Sequence, residues 1–244
     1  MLSTLLNWFR QEKRVFRTIK LYSIAESQDG LNRAALVEAL LKMCEKNFGN
    51  YPRKYDIHGP YGVRKGSTVG LSAFKKKLEK IGHEKYYALS AETEDLFGFQ
   101  LLLSAKFDAC TYSELIIWYS DEIAQIEFMN IVQPIQKVFN ITSGYSIDIK
   151  GNYNLSTETE NRQGVFGTSV KISYEHKKWL NLAHRGKVRD LFMQNILNEA
   201  QTSKLKQIGV VSEKKFGDLT FVEFNCEHEL AELRKRLLEI SYHT

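Results

Sequence analysis

Three runs rich in apolar, β-branched and aromatic residues, 85–91, 96–105 and 113–120, follow one another with only short connections. Phe97-Gly98-Phe99-Gln100-Leu101-Leu102-Leu103 and Leu115-Ile116-Ile117-Trp118-Tyr119 have the content of buried strands. A parallel pair needs a crossover of about a dozen residues or more. These connections are far shorter, so the middle of the chain reads as an antiparallel sheet, and the rest must pack against it.

The flanking segments supply the helices. Leu36, Val37, Leu40, Leu41, Met43 and Cys44 recur at helical spacing within 31–48, and Gly49 follows as a stop. Ser72 is placed to cap a short helix over 73–81, ended by Gly82. Asp121 is placed to cap a longer helix reaching Phe139, with Ile123, Ile126, Ile131, Ile135 and Val138 inward, and Pro134 should kink or divide it. The alternation of 15–24, of Tyr145-Ser146-Ile147-Asp148-Ile149 and of 219–224 reads as strand, as does a short piece around Tyr55. Residues 170–174 read as one more strand. Residues 188–200 read as a helix with Leu191, Phe192 and Ile196 inward, and 227–240 as the last helix, with Leu230, Leu233, Leu237 and Leu238 on one face. Residues 2–13 read as a short amphipathic helix. The expected class is α+β, a mainly antiparallel sheet with helices packed on its faces. Residues 1–244 are expected to form one domain, with a weak subdivision at the polar, glycine-bearing loop 150–168.

Composition limits the chemistry. The 34 Lys+Arg against 29 Asp+Glu give a net charge of +5, mild for 244 residues and opposite in sign to a nucleic-acid mimic. Cys44, Cys110 and Cys226 are odd in number and form no C-x-x-C pair, which points to buried thiols in a reducing cytoplasm. The first ten residues lack the order of a signal peptide, since Arg10, Lys13, Arg14 and Arg17 follow the apolar part. No apolar run reaches bilayer length.

Motifs of known reactions are missing. There is no nucleophile elbow and no phosphate-binding P-loop, and the glycine-rich, basic stretch 59–67 lacks the Lys-Ser/Thr pair and the strand-to-helix setting. Six histidines include no H-x-x-x-H, and Cys226-x-His228 supplies half a tetrahedral site at most. Glu92, Glu94 and Asp95 fall at a turn, and Glu158 and Glu160 in the polar loop. Asp121-Glu122 and Asp190 read as favourable charges at helix starts. No enzyme activity, cofactor, metal or small-molecule substrate is therefore expected. Lys75, Lys76, Lys77 and Lys80 share one helix, with Phe74 and Tyr86 nearby, which suits phosphate contact and keeps a nucleic-acid-associated accessory role as the alternative.

The last sixty residues carry a resemblance. A strand ending near His184 precedes Gly186 and an Arg189-Asp190 turn into a helix carrying Asn195-Ile196-Leu197, and Gly217-Asp218-Leu219 opens a strand before a helix holding Arg234-Lys235-Arg236-Leu237. Phe221 and Phe224 sit in that last strand. With the Gly144-Tyr145-Ser146-Ile147 step and the strand from Phe97 to Leu103, this arrangement resembles immunity proteins of type VI secretion and related polymorphic toxin systems, over about half of the chain. Loop 150–168 and the basic N-terminal segment depart from the pattern. The resemblance implies a cytoplasmic antitoxin that binds a cognate toxin by protein–protein contact. Recognition commonly falls on loops carried by a rigid scaffold, so Tyr61 and Arg64 in the glycine-rich loop, and Tyr153 and Arg162 in the polar loop, are the expected partner contacts.

Overall fold

A computed structural model describes residues 15–25, 31–59, 68–82, 85–94, 96–107, 110–123, 126–150, 159–164, 167–172, 179, 183, 187–188, 190–209, 213–224 and 226–242. In chain order the elements are β1 (Val15–Ala25), α1 (Arg33–Phe48), β2 (Lys54–His58), α2 (Leu71–Ile81), β3 (Ala88–Thr93), β4 (Phe97–Phe107), β5 (Cys110–Ser120), α3 (Phe128–Phe139), β6 (Ser143–Lys150), β7 (Thr159–Gly164), β8 (Gly167–Ile172), β9 (Gln194–Leu197), α4 (Glu199–Gln207), β10 (Lys214–Phe216), β11 (Leu219–Glu223) and α5 (Glu227–Tyr242). Nine strands form one sheet in the order β10-β11-β9-β6-β1-β5-β4-β3-β2, while β7 and β8 pair as a separate hairpin. Every pairing among them is antiparallel. The fold is α+β, and its sheet takes strands from both sides of residues 150–168.

Side chains alternate between the two faces of a strand, and each face has its own cover. Ile19 and Leu21 of β1, Phe99 of β4 and Ile117 of β5 share one core with Leu36, Leu40 and Met43 of α1, Phe74 and Leu78 of α2, and Ile131, Ile135 and Phe139 of α3. Burying each such side chain contributes about 2 kcal/mol. Tyr55 stacks on Phe74 with centroids 4.5 Å apart, which fixes α2 against β2. On the opposite face, Leu197, Val222 and Phe224 pack against Leu205 of α4 and against Leu230, Leu233 and Leu237 of α5. A third cluster on that face joins Tyr22, Ile24, Tyr112 and Tyr145 to Trp179, whose indole lies edge-on to Tyr22 at 4.9 Å. Where β6 crosses β1, a Cβ on Gly144 would stand 2.8 Å from the Lys20 carbonyl oxygen, so this strand pair requires glycine there.

The helix over 31–48 forms as its periodicity predicts. Asn32 caps it by accepting from the Ala35 N–H, and left-handed Gly49 ends it. The meander of β3, β4 and β5 is also as expected.

Five expectations are corrected. Residues 188–200 are not one helix: 194–197 are β9, and the helix starts only at Glu199. The helix before Phe139 begins at Phe128, because Ser120 and Asp121 close a turn after β5, with the Ile123 N–H on the Ser120 carbonyl. That helix runs through Pro134 undivided, Pro134 being internal to it. The α2 N-cap is Gly70, without a side-chain cap, instead of Ser72. Finally, 150–168 is not all loop, since 159–164 pair with 167–172. The expected helix at 2–13 lies outside the described residues.

Candidate functional site

The sheet has a notch on the side of β6 that faces β9. Strand β1 follows β6 through Lys150, but β9 pairs with it only at Gly144, Tyr145 and Ser146. The chain entering β9 is pulled aside just before Gln194. Asn195 causes this: its buried amide accepts from the Phe192 N–H at 2.9 Å and donates to the Phe192 carbonyl, closing a tight local ring. An amide that binds its own backbone in this way competes with helix formation, which is why the apolar spacing of 188–200 does not become a helix.

Phe192 is thereby laid flat on Tyr145, with centroids 3.9 Å apart and planes 10° from parallel. Arg234 of α5 holds the same segment from the other side. Its Nε donates to the Leu191 carbonyl at 2.9 Å and lies 3.0 Å from Asp190 Oδ1, and its guanidinium carbon is 6.0 Å from the Phe192 ring centre. The Phe224 N–H donates to the Met193 carbonyl at 2.9 Å, tying the end of β11 to the same turn.

These elements enclose a cleft of about 530 Å³. Arg17, Asp148, Gln194 and Glu223 come from the strands, Phe192 and Met193 from the turn, and Glu227, Leu230 and Arg234 from α5. Arg17 and Asp148 are register partners and form a two-pronged ion pair, Nε–Oδ1 2.8 Å and Nη2–Oδ2 3.0 Å. Asp148 raises the Arg17 pKa above its ordinary value through this hydrogen bonding, against the opposing effect of partial burial. Gln194 Nε2 donates to Glu223 Oε1 at 2.7 Å. Among the described lining residues, two cations face three carboxylates, Asp148, Glu223 and Glu227, in a chain of net charge +5.

Aromatic, aliphatic and charged groups thus line one concavity whose walls are fixed by hydrogen bonds. Such a mixture suits recognition of another polypeptide. Among the described residues, no three His, Cys, Asp or Glu side chains come together to hold a metal, and no helix is long and apolar enough to cross a membrane. Cys44 is buried, and that burial raises its thiol pKa, whereas Cys226 is exposed.

Tyr61, Arg64 and Tyr153 lie outside the described residues, and Arg162 lies in β7 opposite Ser169. Asp190 does not sit at a helix start: it accepts from the Leu191 N–H at 2.7 Å and pairs with Arg234. Lys75, Lys76, Lys77 and Lys80 do share α2, but Phe74 and Tyr86 beside them are buried, at 0% and 1% exposure, and cannot offer a ring to a base. The cleft residues carried one readable signal, the polar half of the 145–149 alternation, which puts Ser146 and Asp148 on the same face of β6.

No family model matches the chain, and no curated protein does so either. Among solved structures, the chain is similar in fold to the Pseudomonas aeruginosa T6SS protein PA0821, with a TM-score of 0.50 and 9% identity over 90% of this chain and 73% of that one.

Proposed function

We propose that this chain is an immunity protein that binds a cognate type VI secretion effector in the cytoplasm and neutralises it by protein–protein contact, without catalysis of its own. The observation that carries the reading is the likeness of fold, over 90% of the chain, to a protein described as belonging to that secretion system. The resemblance of the C-terminal segment to immunity proteins supports it independently. The cleft adds a physical reason: inhibition by contact needs a rigid concavity with aromatic and arginine anchors, and Phe192 and Arg234 line this one, with Phe192 held on the buried Tyr145 ring.

Co-expression tests the proposal. The effector encoded nearest to this chain is induced with and without it, in a host that lacks both. Restored growth with the chain, and killing without it, is the expected result. Killing in both cases overturns the proposal.

The alternative, a nucleic-acid-associated role, rests on the four lysines of α2 and on the basic N-terminal segment. Phosphate contacts would make binding fall steeply as salt rises. A salt titration with duplex and single-stranded DNA is expected to show no binding that competes with the effector.

A further inference from the structure

We propose that an extended, basic segment of the effector adds as a strand to the edge of β6 at Ile147–Lys150, inside the cleft. This inference rests on the immunity reading and names where and how the partner is held.

The first support is the sheet itself. β6 runs four residues beyond its last pairing with β9, while β1 follows it to the end. No described strand lies beside β6 over those four residues on the β9 side. Along an antiparallel strand, hydrogen-bonding groups turn alternately to either neighbour, so this stretch presents main-chain groups to the notch. Its length is about 13 Å, enough for about four residues of a partner strand. Strand addition of this kind draws affinity from main-chain bonds and specificity from alternate side-chain pockets.

The second support is the lining. An added strand would meet Ile147, Met193 and Leu230, which are apolar. It would also meet Glu223 of β11 and Glu227 of α5, both exposed. Among the described lining residues, Arg17 and Arg234 are already met by Asp148 and Asp190, so the charge these residues present to a partner is negative. A lysine or arginine alternating with apolar residues complements it, and an acidic segment does not.

The test uses the full chain and the purified effector encoded beside it, carrying a substitution that silences its toxicity. Amide hydrogen exchange is followed with and without the effector, and affinity is titrated for wild type, for Glu223→Lys/Glu227→Lys and for Glu223→Gln/Glu227→Gln. The expected result is slowed exchange at 147–150 in the complex. Affinity should fall about tenfold or more for the lysine pair and less for the glutamine pair, all with unchanged unfolding temperature. The glutamine pair keeps the test valid should the lysine pair fold poorly. A complex in which 147–150 exchange at the free rate overturns strand addition and leaves the immunity reading standing. Failure of the wild-type chain to bind overturns both.

Discussion

The two ends of the sheet are built differently. From β1 to β2, strands of five to eleven residues are covered on one face by three helices, whose side chains interlock in one large core. From β6 to β10, the strands beyond β6 shrink to four, five and three residues, and a smaller core holds α4 and α5 on the opposite face. The long half rests mainly on apolar burial. The short half is positioned by individual polar contacts: Asn195 on Phe192, Arg234 on Leu191, Gln194 on Glu223. Polar contacts of this sort fix geometry with modest net energy. The difference places stability in one half and a shaped, chargeable concavity in the other.

Substitutions can break that division. Leu40→Ala removes a fully buried side chain from the long half and should cost about 3 kcal/mol, read by chemical denaturation, with effector affinity unchanged in the folded protein. Loss of affinity at equal folded fraction would show that the halves are coupled. Gly144→Ala drives a methyl against the Lys20 carbonyl at the seam between the halves and should cost about 2 kcal/mol. A neutral result would mean that β6 can shift away from β1. Asn195→Ala strips the bonds from Phe192 and should cost about 1.5 kcal/mol, but weaken effector binding more than Gly144→Ala does, because Phe192 leaves its stack. Equal binding losses would remove Phe192 from the site. Asp148→Asn breaks a half-exposed ion pair and should cost about 0.5 kcal/mol, a cost that vanishes in high salt. A larger, salt-independent loss would show that the pair is structural.

The long half was readable because its signals are periodic and local. Leu36, Leu40 and Cys44 mark α1 by spacing alone, and the short connections of β3, β4 and β5 force their pairing. The short half misled for a physical reason. Leu191, Phe192 and Ile196 look like one helical face, yet Leu191 packs toward α5, Phe192 lies on Tyr145, and Ile196 joins the core on the other side of the sheet. No spacing rule reveals that one segment serves both faces. The cleft was hidden for a related reason, since its lining residues Arg17, Asp148, Gln194, Glu223 and Arg234 meet only through the sheet order. Strand β7 was hidden by polar composition, although Gly164 and Gly167 pair at the end of the hairpin, while β8 overlaps the strand read at 170–174.

The most direct test of this account is an effector titration against two charge-reversed forms of the full chain, one in each half. Glu223→Lys/Glu227→Lys alters the cleft, and Lys75→Glu/Lys80→Glu alters the exposed face of α2. The account predicts that the first weakens binding about tenfold or more and the second leaves it unchanged. Loss of affinity in the α2 form, with the cleft form unaffected, would contradict it and move the partner site to the other half of the sheet.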